Sequence, residues 1–303
     1  MFERVSQQQE VEPSRLSDRE RQEKMEGLLK AIEHIAVLLN AELEKSVKDR
    51  RGSVPLVDNA GRVNKRAYST KAGGPYKKER NGETDIQTSV TEDEQFALER
   101  ELYWHGVTSK KVQKHLGVED ANSAFAELQR RHLLRDGVLG EMLVFTMLHK
   151  VFGEHFIVVR TADYDDYKNG ADTLVVHKET GGIACTFDEV VDEERGDLYK
   201  EKEHRVVRRG EKGFFVKYGL DVEDGQIVRT SRKNVVGVPL RISREDLYTL
   251  LKENVFQESV FTDTEREVLV KMFQEAALHA DEDKRGVEAL LAVVKKEVVD
   301  GRE

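Results

Sequence analysis

Between about Asp18 and Lys48 the apolar residues Met25, Leu28, Leu29, Ile32, Ile35, Leu38, Leu39 and Leu43 recur at steps of three and four. That spacing puts them on one face and predicts a helix of about thirty residues. The face either pairs with a second copy of the chain through Met25–Leu43, giving a homo-oligomer, or packs on the chain's own body. Residues 1–17 have no apolar period and read as a disordered tail. Residues 49–91 are poor in apolar side chains and carry Gly52, Pro55, Gly61, Gly73, Gly74, Pro75 and Gly82, which predicts a flexible linker.

The block 92–135 reads as a small helical module of three short helices, compatible with a helix-turn-helix or with ordinary packing. From residue 136 the pattern becomes α/β. Val138 to Phe152 is apolar nearly all round, as expected of a buried helix. Phe156 to Thr161, Asp172 to Lys178 and Ile183 to Val191 read as strands, the first two joined by a polar loop and the last two by the turn at Gly181 and Gly182. A second hairpin is predicted over Gly213–Leu220 and Gln226–Thr230, then a strand over Asn234–Ile242. Ser243 with Asp246 marks the start of a helix to Lys252. Thr262 with Glu265 forms a capping box for a helix through His279, and Lys284 to Val299 reads as the last helix. The organisation is therefore an α/β domain over 136–252, with a helical region before it and C-terminal helices over 253–303.

Composition narrows the class. The longest apolar stretch is interrupted by Glu141 and His149 and is too short to span a bilayer, so no membrane span is expected. The polar N-terminus lacks a secretory apolar core, and the single cysteine, Cys185, permits neither an intramolecular disulfide nor a thiolate zinc framework; both point to a cytoplasmic protein. The formal net charge is -9, which excludes a uniformly basic nucleic-acid binder. Charge is uneven, however: from Lys48 to Ser89 ten basic residues face five acidic ones, a basic strap on an acidic body.

Strand alternation gives the candidate chemistry. If the hairpin faces are continuous, Asp172 and Asp188 approach each other at its open end, and Glu141 adds a third carboxylate from the buried helix. Three converging carboxylates repel unless a divalent cation neutralises them, and hard oxygen ligands suit Mg²⁺ or Mn²⁺. Each acid also has a structural reading: Asp172 as a turn residue after Asn169-Gly170-Ala171, Asp188 at an exposed edge, Glu141 as a helix-start carboxylate. The pair Asp165 and Asp166 reads as solvated loop, with Asp166 a candidate for a second ion, and Cys185 as a small buried hydrophobe.

These residues bring in a resemblance. Gly140-Glu141, Tyr164-Asp165-Asp166-Tyr167, Asn169-Gly170-Ala171-Asp172 and Cys185-Thr186-Phe187-Asp188-Glu189-Val190, in the order helix, strand, acid, hairpin, strand with acid, helix and strand, resemble the PD-(D/E)XK nuclease superfamily. The resemblance implies a restriction-endonuclease-like α-β-β-β-α-β core, metal ligation by Glu141, Asp172 and Asp188, and metal-dependent hydrolysis of phosphodiester bonds in DNA or RNA. The family's lysine falls where this chain has Val190. Its loss either silences cleavage, leaving a scaffold or nucleic-acid-binding protein, or requires another cation. Lys200 and Lys202, with Arg205, are candidates for that cation, and His149 is another. Nucleic-acid contact is assigned to Lys65, Arg66, Lys77 and Lys78 of the strap and to Arg205, Arg208 and Arg209, since acids crowding the end of the third strand would otherwise repel a phosphate backbone. A protein-interaction component acting through Met25–Leu43 is the remaining alternative.

Overall fold

The computed structural model describes residues 16–46, 54–68, 134–180, 182–192, 213–223, 226–258 and 260–279, with Val90, Asp93, Glu94, Phe96, Ala97, Arg100 and Lys200 as isolated positions. Most of the 92–135 module, the proposed helix over Lys284–Val299, and Lys77, Lys78, Lys202, Arg205, Arg208 and Arg209 lie outside them.

The described part is a mixed α/β structure. Helix α1 (Asp18–Ser46) is followed by α2 (Asp136–Phe152), β1 (Phe156–Arg160), α3 (Asp163–Asn169), β2 (Thr173–His177), β3 (Ile183–Asp192), the hairpin β4 (Phe214–Glu223) and β5 (Gln226–Val235), β6 (Gly237–Ser243), α4 (Arg244–Glu253) and α5 (Asp263–His279). The main sheet runs β1-β2-β3-β6, with β1, β2 and β3 antiparallel in turn and β6 parallel to β3. Among the described residues no helix is long and apolar enough to cross a membrane.

Two glycines reveal which layer covers which face. A Cβ on Gly140 would collide with Val191 Cγ2, so α2 lies against the β3 face that carries Phe187, Glu189 and Val191. A Cβ on Gly237 would collide with the Phe214 ring, which places β4 over the opposite face, the side of Thr186 and Asp188. Helix α5 joins α2 on the first face, with Phe273 edge-on to both Phe152 and Phe187. Helix α1 packs outside α2, and its Leu28, Ile32, Leu39 and Leu43 are essentially fully buried. Of the face expected over Met25–Leu43, the chain's own body covers Met25, Leu28, Ile32, Ile35, Leu39 and Leu43, while Leu38 is half exposed.

The helix signals hold in detail. Ser243 caps α4 by accepting from the Asp246 amide at 3.0 Å. In the Thr262–Glu265 box, Thr262 Oγ1 accepts from the Glu265 amide at 3.1 Å and the Glu265 carboxylate accepts from the Thr262 amide at 2.8 Å.

Residues 54–68 are a correction. Expected as part of a flexible linker, they instead pack on the sheet, with Leu56, Val57, Val63 and Tyr68 buried. The polar turn Asp58-Asn59-Ala60-Gly61 folds this segment on itself: Asp58 Oδ1 accepts the amides of Ala60 and Arg62, and Gly61 has φ +72°. Asn40 of α1 pairs with both backbone groups of Val57, and the Tyr68 hydroxyl donates to the Gly219 carbonyl on β4 at 2.5 Å. The segment then hydrogen-bonds to the end of β1, with the Arg160 amide donating to the Gly61 carbonyl and the Val63 amide to the Arg160 carbonyl, which puts Arg62 beside Arg160.

Candidate functional site

The site lies where β1 ends, β2 begins and β3 passes between them. Asp172 immediately precedes β2. Its backbone amide donates to the Phe187 carbonyl at 2.8 Å, and its Oδ2 accepts the Glu189 amide at 2.7 Å. This places the Asp172 carboxylate on β3 next to Glu189. Glu189 is 2 % exposed and points to the α2 face, towards Glu141. Burial first, then the negative charge of Asp172, with a smaller push from Glu141, holds the Glu189 carboxyl well above the usual carboxylate range; a hydrogen bond with Thr173 works the other way. The three acids brought together are therefore Glu141, Asp172 and Glu189.

Asp188 is displaced from the expected trio. Neighbouring strand residues point to opposite faces, so with Glu189 directed at α2 the Asp188 side chain is directed at the β4–β5 layer, where it is buried. Glu141 and Asp188 thus stand on opposite sides of β3. The position two residues after Glu189 is Val191, also apolar and lodged against Gly140, so β3 offers no lysine there either.

Two arginines enter the site. Arg160, the last residue of β1, is 6 % exposed, and its Nη2 stands 3.6 Å from Glu141. Burial and the neighbouring Arg62 charge bring its pKa down to about 10. Arg62 arrives from the 54–68 segment, bonds the Thr161 carbonyl at 3.1 Å and pairs with Asp166 at 3.0 Å. Burial works to lower its pKa, but the charges of Asp166, Glu141, Tyr167 and Asp163 outweigh it and push it up. Asp166 is thus tied to Arg62, which leaves its expected place at a second ion without support.

The polar loop expected before β2 contains α3, closed by Gly170 in the left-handed conformation at φ 68°. Asp165, read as solvated, is instead wholly buried. It accepts the amides of Lys217 at 2.8 Å and Tyr218 at 2.9 Å and the Asn169 side chain at 2.7 Å, docking α3 on β4. Burial nevertheless raises its pKa to about 6.

The other expected site residues sit elsewhere. His149 lies eight residues beyond Glu141 on α2, about 12 Å along the axis at ~1.5 Å per residue. Burial, reinforced by Lys178, lowers its pKa to about 4, so it is a neutral packed side chain away from the acids. Lys65 is 8 % exposed and ion-paired with Asp163, hence a buried structural cation rather than an exposed phosphate contact. Arg66 is exposed and paired with Glu94 at 3.0 Å, and Lys200 is exposed. Cys185 is buried as expected, its thiol pushed up by burial and by Glu189.

Among the described residues no three carboxylate, histidine or cysteine groups already stand as ligands around one point. The donor set nevertheless fits an ion of the Mg²⁺ kind, which takes one or two carboxylates and fills its other positions with water and phosphate oxygens. Asp172 and Glu189 are the two carboxylates that could hold it, and a cation between them would offset the part of the Glu189 shift that comes from the Asp172 charge.

The sequence reading gives Glu189, Arg160 and Arg62 no place among the site residues. Two signals for them exist there. Cys185, Phe187 and Val191 form the bulkier face of β3, the one a helix must cover, and Glu189 belongs to that face. Arg160 closes an otherwise wholly apolar strand, where a charge needs partners. Comparison of the chain with protein-family models, with curated proteins and with solved structures finds no match.

Proposed function

We propose that the protein is a metal-dependent phosphodiesterase of nucleic acid, DNA or RNA, built on a restriction-endonuclease-like core. One observation carries this reading: Asp172, before β2, accepts the Glu189 amide of β3 at 2.7 Å, and the charges of Asp172 and of Glu141 on α2 both act on the buried Glu189 carboxyl. The strand order β1-β2-β3-β6, with a parallel last strand and α2 across one face, supports the same reading. Asp172 and Glu189 would hold Mg²⁺ or Mn²⁺, and Glu141, about a fifth exposed, would order water beside it. When bound, the ion polarises the phosphodiester and lowers the pKa of an attacking water. Arg62 and Arg160 supply positive charge that a lysine on β3 does not.

A catalytically silent, nucleic-acid-binding form of the same fold is the second reading, favoured by Val191 at the lysine position and by the Glu141–Arg160 ion pair. One experiment separates the two. The full chain is incubated with single- and double-stranded DNA and RNA and with Mg²⁺ or Mn²⁺, beside Glu189→Gln. Metal-dependent cleavage by the wild type, reduced at least about 100-fold in the variant, is expected for loss of a metal ligand. Absence of cleavage on every substrate and with both ions overturns the hydrolytic reading.

A further inference from the structure

We propose that Arg160 is the phosphate-binding residue of this site, its guanidinium receiving a non-bridging oxygen of the substrate phosphate in place of a lysine on β3. The proposal deepens the hydrolytic reading above and rests on it for the identity of the substrate, but the anion site itself can be tested without cleavage.

Arg160 is unusually under-bonded for a buried cation. Its guanidinium carries five donors. The side chain is 7 % exposed, yet the bonds it makes are a long one from Nη1 to the Ala60 carbonyl at 3.4 Å and a loose ion pair to Glu141 at 3.6 Å. Good N–H···O bonds are about 2.7 to 3.2 Å long. A buried guanidinium left this way is costly, and Arg62 beside it adds repulsion, so an incoming anion would fill the open donors of Arg160 and offset that repulsion. Arg62 is different: it is already committed to Asp166 and to the Thr161 carbonyl at normal distances.

Position argues the same way. Arg160 pairs across the sheet with Thr173, the residue after Asp172, and the following amide, Thr161, donates to the Asp172 carbonyl at 2.9 Å. The guanidinium is thus fixed at the end of the sheet that holds the acids. No cation can come from two residues after Glu189, because Val191 fills the space against Gly140. The planar fork of an arginine matches two oxygens of one tetrahedral phosphate, a geometry that a lysine does not reproduce.

Sulfate serves as the tetrahedral oxyanion probe, titrated against the full chain with and without Mg²⁺ and followed by thermal unfolding, with chloride at equal ionic strength as the blank. The wild type should show a saturable rise in Tm. Arg160→Gln should lose it, and Arg160→Lys, which keeps the charge and decides the matter if the glutamine variant does not fold, should weaken the apparent affinity at least tenfold. In the cleavage assay the same variants should lower kcat at least 100-fold while Mg²⁺ affinity by calorimetry stays within threefold. A sulfate response that is absent in the wild type, or equal in the wild type and Arg160→Lys, overturns the proposal, as does cleavage by Arg160→Lys at the wild-type rate. If the wild type cuts nothing but its sulfate response depends on Arg160, the anion site stands and the hydrolytic reading alone fails.

Discussion

Glutamine has the shape of a protonated glutamate, and Glu189 is a carboxyl that burial and the Asp172 charge push well above the usual range. Glu189→Gln should therefore fold and, without metal at neutral pH, be at least as stable as the wild type. The sign follows from linkage: an acid whose folded pKa is raised contributes stability below its ordinary pKa and loses it as pH rises through the folded value. Mg²⁺ should raise the Tm of the wild type and leave that of the variant unchanged; an equal rise in both would place the ion elsewhere. The choice between Asp188 and Glu189 was not legible from alternation alone, because both faces of β3 are covered, one by α2 and one by β4, and both therefore read as apolar. What the sequence does show is the pair Glu141 and Asp172, each an acid at the edge of an apolar element. Arg62 was hidden because the segment that delivers it makes its contacts with residues about a hundred positions away.

At the scale of elements, Gly140 sets how closely α2 approaches β3, and through that the separation of Glu141 from Glu189. Gly140→Ala should destabilise the protein by about 1 to 3 kcal/mol, the usual cost of overpacking, partly offset by the ~1 kcal/mol that alanine gains over glycine in a helix. Val191→Ala removes the methyl groups in the way, so the double variant should be more stable than the sum of the single changes requires, as read from denaturant midpoints. Strict additivity would mean that the two residues do not touch. The long helices and their starts were readable because a capping residue acts within one turn, as at Ser243 and Thr262. Helix α3 was not: Asp163 to Asn169 holds three aspartates and reads as loop until Lys217 and Tyr218 of β4 bind Asp165. Asp165→Asn puts amide hydrogens where only acceptors fit, and should loosen this junction.

Across the whole molecule, two buried titratable groups oppose each other. Asp165, moved from 3.8 to about 6, contributes stability below its ordinary pKa that is lost as pH rises through 6. His149, moved from 6.5 to about 4, contributes stability above its ordinary pKa that is lost as pH falls through 4. Each effect is on the order of 3 kcal/mol at about 1.4 kcal/mol per pKa unit. Between about pH 4 and 6 the two slopes work against each other. Relative to the wild type, His149→Leu should therefore gain stability as the solution is acidified across that window, and Asp165→Asn should lose it. Thermal unfolding at a series of pH values checks this, and curves parallel to the wild type for either variant would mean that its group does not titrate there.

The 54–68 segment also has a consequence for solubility. β1 bonds β2 on one side and, at Arg160, this segment on the other, so without it the Arg160 amide and carbonyl would be bare at the rim of the sheet. Such a rim is a template for another molecule's strand. Exchange of residues 54–68 for a glycine- and serine-rich linker, with α1 kept, would remove the guard along with Arg62, and the variant should associate rim to rim, visible by light scattering as growth that the intact chain does not show.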